Sequence, residues 1–219
     1  MGVFLSVSTP PLRARRAVPA DDRGNLSRRE ARRLETQEAL IEAAMRLLSE
    51  KGFEETTVDE IAAAAGISRR TLFRHFPTKA DIVTAWTQKM TDILTSHVDE
   101  GRPDLCVQDV ICAALEAVVP HMAKTRAEAL AFVRLIERTP GLRSVSLQKY
   151  AQWEESLASV ILDHLPLSDD RPLAARVAAR SGIAAFRTAV DEWIRVKGRI
   201  GLVSILRHVF ALQRDCFRS

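Results

Sequence analysis

Apolar residues recur every three or four positions over most of the chain after residue 26, which is the spacing of α-helices. Between Thr78 and Glu100, one side of a predicted helix carries Ile82, Val83, Trp86, Met90, Ile93, Leu94 and His97. Prolines and glycines interrupt the pattern near residues 101–103, 120, 139–141 and 166. Runs rich in alanine, leucine, glutamate and arginine lie between these breaks. The pattern therefore predicts an all-α protein.

The breaks divide the chain into predicted segments. Residues 1–26 contain prolines and lack sustained periodicity, so we expect a disordered N-terminal arm. Ser27 and Glu30 form a capping-box pattern that predicts a first helix through about Glu50. Later helices are expected at about 69–76, 78–100, 107–119, 124–138, 142–165, 172–196 and 202–217. We place one domain at residues 27–80 and a second at 81–219.

The stretch TTVDEIAAAAGISRRTLFRHFPTK, from Thr56, predicts two short helices joined by a tight turn. Thr57 with Glu60 is a capping box, and Gly66 suits the left-handed conformation that ends a helix. Ser68 is a good N-cap for the helix that follows. Thr78 with Asp81 marks the start of the next helix. The arrangement is typical of a helix-turn-helix.

The second short helix has two different faces. Leu72 and Phe76 lie four residues apart and predict a buried side. The other side presents Arg69, Arg70, Phe73 and Arg74. Arginines near the N-terminus of such a helix suit insertion into a DNA major groove. The alternative interpretation is a helical hairpin whose basic side is merely solvated.

Charge and composition narrow the class of protein. The net charge is +4, and arginines concentrate before residue 36, where Arg28 and Arg32 would face the DNA backbone. The arginines of the arm itself could follow phosphates, or the arm could be a leader without a role. Three cysteines without paired spacing predict no metal site and favour reduced thiols in a cytoplasm. No apolar run of about 18 residues predicts a membrane span.

Motifs of catalysis are not found in the sequence. It contains no P-loop, HExxH, GxSxG or dinucleotide-binding glycine pattern. We therefore expect neither an enzyme nor a cofactor. The alternatives are a helical enzyme, or a helical ligand-binding protein with a vestigial DNA head, which the arginines at positions 69 and 70 disfavour.

The stretch TTVDEIAAAAGISRRTLFRHFPTKADIV resembles the TetR family of bacterial transcriptional regulators. The order of the later helices also resembles the regulatory domain of that family, so that the resemblance covers about residues 27–219. It implies nine helices, a homodimer formed by the last two helices, and repression that a small ligand relieves. An activator, or a regulator that needs no ligand, could have the same fold.

The resemblance also implies roles for individual residues. Arg69, Arg70 and Phe73 take positions that contact base edges, and Arg74 either contacts DNA or is solvated. The positions that hold phosphates in the family are occupied by Thr57, Thr71, His75 and Lys79. Phe73 replaces the usual tyrosine, so a hydroxyl contact is lost there. His75 could equally pack beneath the recognition helix.

The run ERTPGLRSVSLQKYAQWEESLA, from Glu137, resembles the acyl-CoA-like ligand-binding domains related to the mycofactocin regulators. The resemblance implies a hydrophobic effector, for which a fatty acyl-CoA is one candidate. Apolar candidates for the pocket wall are Trp86, Met90, Phe132, Trp153 and Phe186. His121, Arg134 and Arg187 are candidates for contacts with a polar head group. Each could instead be an ordinary core or surface residue.

The last two predicted helices carry apolar or small residues on more than one side. Such a helix is buried on more than one side. A homodimer is the partner that we expect, because one helix-turn-helix reads too few base pairs to be specific. The alternative is a monomer in which these helices are central. The remaining expected partner is a double-stranded DNA operator.

Overall fold

The computed structural model describes residues 20–99, 106–123 and 125–216, with side chains described from Ser27 onward and not at Asp99. Within these ranges it contains no strand, which confirms the all-α class. The described ranges contain nine α-helices: α1 (Ala20–Lys51), α2 (Val58–Ala64), α3 (Arg69–His75), α4 (Lys79–Asp99), α5 (Val107–Val118), α6 (Arg126–Arg138), α7 (Arg143–Val160), α8 (Arg171–Arg195) and α9 (Leu202–Cys216). Short 3-10 turns lie at Val119–His121, Pro140–Leu142 and Ile161–His164.

Helix α1 begins at Ala20, so the predicted start at Ser27 is wrong. Ser27 lies inside the helix and cannot cap it. The described residues up to Thr36 form a unit of their own, in which Arg28 and Arg32 are exposed. The hydroxyl of Thr36 donates to the Arg32 carbonyl at 2.8 Å, a bond within one turn of the helix. The predicted arm lies outside the described residues up to position 19, and residues 20–26 are helical.

The second unit begins at Gln37 and contains the rest of the chain. Its buried side chains form one continuous cluster. In the first half of the unit, Leu40, Ala44 and Leu48 of α1 are fully buried, together with Ile61 of α2 and Leu72 of α3. The helical spacing of these residues in the sequence predicts this packing.

Helices α4 to α9 form the remainder of the core. Five of the predicted inward residues of α4 are buried: Ile82, Val83, Trp86, Met90 and Leu94. His97 is exposed, and its Nδ1 lies 2.8 Å from the Ile93 carbonyl oxygen. Leu147 of α7 is 53% exposed, because α7 buries the side that carries Ser146 and Tyr150.

Helix α8 packs closely against α5 at a glycine. Gly182 lies directly against the side chain of Ile111 on α5, where an added Cβ would clash. The absence of a side chain thus allows the two helices to approach. On another side of α8, Leu173 and Val177 are more than half exposed. Within the described residues, no helix has the length and apolar character needed to cross a membrane.

Candidate functional site

Helices α2 and α3 are held by local caps that the sequence predicts. Thr57 Oγ1 accepts from the Glu60 backbone N–H at 3.2 Å, and a Glu60 carboxylate oxygen accepts from the Thr57 N–H at 2.9 Å. Ser68 Oγ accepts from the Thr71 N–H at 3.1 Å and so caps α3. These bonds satisfy backbone donors that a helix start leaves free.

The turn between the two helices depends on Gly66. Its φ is +68°, a value that a glycine adopts without steric cost. The Gly66 N–H donates to the Ala63 carbonyl, and the Ile67 N–H donates to the Ala62 carbonyl. The turn predicted from the sequence is therefore present, and it fixes α3 relative to α2.

The outer side of α3 presents a basic and partly apolar surface. Arg69, Arg70 and Arg74 are exposed, and Phe73 is 40% exposed. The opposite side buries Leu72, and Phe76 just after the helix is buried as well. Arginine side chains can donate two parallel hydrogen bonds to guanine, and an apolar ring can contact a thymine methyl group. The exposed set is thus chemically suited to reading base edges.

The arginines of α3 are not equivalent. Arg69 Nη1 lies 3.1 Å from Asp59 Oδ2 on α2, and its guanidinium lies 5.4 Å from the centre of the Phe73 ring. Both partners of the ion pair are more than 60% exposed, so the pair contributes little to stability. No ion pair of Arg70 or Arg74 is found among residues 20–216 as described. With respect to the described residues, Arg70 is therefore available without breaking an ion pair.

Lys79 has a role that the sequence did not indicate. Its ammonium donates to the carbonyl oxygens of Phe53 at 2.6 Å and Thr56 at 2.8 Å, and it lies 4.7 Å from the centre of the Phe53 ring. These carbonyls belong to the loop between α1 and α2, whereas Lys79 begins α4. The side chain therefore joins the start of α4 to the entry of the helix-turn-helix.

The remaining phosphate candidates lie in or next to the helix-turn-helix. Thr57 is exposed at the N-terminus of α2, and Thr71 is half-buried on α3. His75 is half-buried, and its ring centre lies 6.4 Å from that of Phe76. Glu60, beside Thr57, bonds to Lys51 at 2.6 Å. This bond, followed by those to Thr57, lowers the pKa of Glu60 to about 2.

A second candidate site is a small cavity enclosed by residues of α4, α6, α7 and α8. Its volume is about 20 Å³, enough for roughly one water molecule. Four of the predicted wall residues line it: Trp86, Phe132, Trp153 and Phe186. The rings of Trp86 and Phe132 meet edge to face with centres 4.2 Å apart. Met90 is buried but is not part of this lining.

The lining of the cavity includes one buried ion pair, Glu137 with Lys149, which we call its ionic end. Lys149 Nζ lies 2.7 Å from Glu137 Oε1, and the two side chains are only 8% and 15% exposed. Burial alone would raise the pKa of Glu137, but the charge of Lys149 and three hydrogen bonds hold it below its usual value. Burial lowers the pKa of Lys149, and Glu137 opposes that shift. This pair leaves no pattern in the sequence, because its members lie on different helices, α6 and α7.

The polar candidates proposed from the sequence lie elsewhere. His121 and Arg134 are exposed and are not part of the cavity lining. Arg187 is exposed, but its guanidinium lies 5.0 Å from the centre of the Tyr150 ring, which does line the cavity. No group of three or more histidine, cysteine or acidic side chains is placed to hold a metal ion in the described part of the chain.

Comparisons with known proteins find relatives of both halves of the chain. Residues 40–86 match the family of bacterial regulatory proteins of the tetR type, and residues 83–218 match the MftR C-terminal domain. The chain is 33% identical over 132 residues to a mycofactocin biosynthesis regulator, MftR, of Mycobacterium tuberculosis, covering 59% of this chain and 66% of that protein. It is 29% identical over 153 residues to the regulator TcmR of Streptomyces glaucescens, covering 66% and 67%.

A solved structure extends the likeness to the fold. The regulator FadR of Bacillus subtilis, solved in complex with stearoyl-CoA, aligns with a TM-score of 0.59 at 18% identity. The alignment covers 80% of this chain and 96% of that one. The helix-turn-helix, the helical second half and the matches to both family models lead to one assignment: the chain belongs to the TetR family of DNA-binding transcriptional regulators, with a C-terminal domain of the MftR type.

Proposed function

We propose that the chain represses transcription by binding a pseudo-palindromic operator as a homodimer, and that a small hydrophobic ligand releases it. The observation that carries the DNA part is the exposed side of α3, where Arg70, Phe73 and Arg74 stand beside the ion-paired Arg69. Arg70 and Arg69 would read guanines, and Phe73 a thymine methyl group.

Phosphate contacts would position this surface. Thr57 caps α2, Thr71 and His75 lie on α3, and Arg28 and Arg32 lie on the first part of α1. Lys79 would act through its backbone N–H at the start of α4, because its ammonium is held by two carbonyl oxygens. Such contacts supply affinity without sequence preference.

A second copy of the chain would cover the outer side of α8 and α9. Leu173, Val177 and Leu212 are each about half exposed or more on these helices. Exposed apolar groups in a row favour association. Two recognition helices about 34–36 Å apart would then enter successive major grooves.

The ligand part of the proposal rests on the cavity beside α4. A cavity of about 20 Å³ is far smaller than typical ligand pockets of roughly 300–1,000 Å³. A ligand would therefore have to separate the walls, and one wall residue, Trp86, belongs to α4 itself. A shift of α4 would change the separation of the two recognition helices. The complex of the Bacillus FadR with stearoyl-CoA makes a fatty acyl-CoA the first candidate.

The test is a gel-shift titration with the DNA upstream of the gene for this chain, with and without a long-chain acyl-CoA. A specific, salt-sensitive complex that the ligand dissolves supports the whole proposal. If the acyl-CoA binds the protein but the protein–DNA complex is unchanged, the second candidate is favoured: a regulator that acts without this ligand. No specific complex there or in a genome-wide search for sites would refute operator binding.

A further inference from the structure

The cavity has an apolar wall and a single ionic end. The two charged groups of the ionic end differ in how much of their hydrogen-bonding capacity the protein already uses. Glu137 accepts three hydrogen bonds: Oε1 from Lys149 at 2.7 Å and from Tyr150 at 2.8 Å, and Oε2 from Ser146 at 2.8 Å. A carboxylate is an acceptor only. Its capacity is therefore largely used by the protein.

Most of the hydrogen-bonding capacity of Lys149, in contrast, is not used by the described residues. An ammonium has three N–H donors, and within the described residues one hydrogen bond is found for it, to Glu137. Its Nζ lies 3.9 Å from the centre of the Tyr150 ring and 5.8 Å from that of Trp153, and both rings line the cavity. Ring faces attract a cation but are weaker partners than an anionic oxygen. The donor capacity at this end belongs to Lys149.

The surrounding charges favour an anion as well. Arg187 lies 5.0 Å from the centre of the Tyr150 ring, so a second cation stands on the same aromatic side chain. The nearby carboxylate of Asp191 is already paired with Arg138 at 2.8 Å. Lys149 and Arg187 thus stand against one carboxylate, Glu137, at this end. An added negative charge would be stabilised there.

We propose that the ionic end recognises a carboxylate, so that the effector is an apolar carboxylic acid whose acid group pairs with Lys149. The apolar body of the ligand would lie against Trp86, Phe132 and Phe186. Its carboxylate would compete with Glu137 for the ammonium. The inference rests on the proposed function of the cavity as the effector site, and it narrows the chemical class from hydrophobic ligands to free acids, which replace the acyl-CoA thioester as the first candidate.

Binding of dodecanoic acid and of 1-dodecanol, measured without DNA, tests this proposal. Trp86 and Trp153 line the cavity, so that intrinsic tryptophan fluorescence reports occupancy. We expect the acid to bind at least about tenfold more tightly than the alcohol, because hydrogen bonds to charged groups are strong. Lys149→Gln should abolish that preference. Glu137→Gln should strengthen acid binding by about tenfold, because it removes the competing carboxylate.

Glu154→Gln is the matched control. Glu154 lies on the same helix as Lys149 and pairs with Arg180 at 3.5 Å, but it is not part of the cavity lining. It should leave both affinities unchanged. A purely structural Lys149–Glu137 pair predicts that both cavity variants lower stability and weaken binding of acid and alcohol alike.

Either of two results would overturn the proposal: equal affinities of the wild-type protein for acid and alcohol, or weaker acid binding by Glu137→Gln. If Lys149→Gln does not fold, those two measurements still decide. Release from the operator is measured separately. In one outcome, an acyl-CoA releases the wild-type protein and Glu137→Gln from DNA equally well, and the wild-type protein binds acid and alcohol with equal affinity. This outcome refutes the carboxylate site and leaves the proposed repressor intact. If the acid binds with the expected affinities in wild type and variants but does not release the protein from the operator, the result supports the site. It counts against relief of repression by this ligand.

Discussion

The indole Nε1 of Trp153 donates a hydrogen bond to Thr91 Oγ1 at 3.0 Å and so joins α7 to α4 inside the core. Thr91 in turn donates to the Thr87 carbonyl at 3.1 Å. Trp153 lines the cavity, while Thr91 lies on the helix that begins beside the helix-turn-helix. A ligand that moves the indole would therefore act on α4 through a buried polar contact.

Thr91→Val should lower the free energy of unfolding by about 1–3 kcal/mol, because it leaves a buried indole N–H without its acceptor. Trp153→Phe removes the donor as well, so the double variant should lose less than the sum of the single losses. Urea unfolding of all four proteins gives the coupling, which we expect to be about 1 kcal/mol. Additive losses would show that the bond contributes nothing specific.

Arg70→Ala should weaken binding to the specific operator by about 1–3 kcal/mol and affect random DNA less. The reason is that Arg70 is exposed on α3 without a described ion pair, so that its guanidinium is ready to meet a base. Arg143→Ala, an exposed arginine at the start of α7, is the control and should change neither affinity. Equal losses of affinity for operator and random DNA would show that Arg70 contacts phosphates and not bases.

Lys79→Met should lower stability by about 1–3 kcal/mol, because the Phe53 and Thr56 carbonyls lose a charged donor. The salt dependence of operator binding should stay the same, since the ammonium is already engaged within the protein. Fluorescence anisotropy at several salt concentrations measures this. A slope reduced by about one unit would place the ammonium on a phosphate instead.

The Lys51–Glu60 contact predicts a pH dependence of stability. Hydrogen bonds from Lys51 and Thr57 lower the pKa of Glu60 from 4.5 to about 2. A depressed carboxyl pKa adds stability that is complete above the unfolded value and is lost as pH falls through the folded one. The difference in stability between wild type and Glu60→Gln should therefore shrink from about pH 5 towards pH 2. A constant difference would contradict the assignment.

Val177→Asp should convert a dimer into a monomer in light scattering at micromolar concentration, because it places a charge on the exposed apolar side of α8. Operator affinity should fall with it. Leu147→Asp is the control, since Leu147 is 53% exposed on α7 and lies outside the proposed interface. A monomeric wild-type protein, or dissociation by both variants, would refute the assignment of this surface.

Local signals allowed much of the fold to be predicted. The caps at Thr57 and Ser68 and the turn at Gly66 each depend on a few neighbouring residues, so sequence alone identified them. The start of α1 was misplaced because Ser27 and Glu30 match a capping pattern, although the helix continues through them from Ala20. A local motif cannot tell whether the preceding residues are helical too.

The polar contacts of the core were not predictable in the same way. Lys79 reaches carbonyl oxygens more than 20 positions away in the sequence, and Glu137 meets Lys149 and Tyr150 across the junction of α6 and α7. Such pairs arise from tertiary packing and leave no periodic signal. Four aromatic wall residues were found because helical spacing indicates which side is buried, whereas Arg134 and His121 had no such signal and lie on the surface.

The attachment of Lys79 to the loop before α2 has a consequence for the operators that this regulator can use. Because the first turn of α4 is bonded to Phe53 and Thr56, a tilt of α4 would carry each helix-turn-helix along as one piece. The preferred base sequence of each half-site would then stay the same when the effector binds, while the preferred number of base pairs between half-sites would change. Selection from a library of spacer lengths, with and without effector, should recover identical half-sites at different separations.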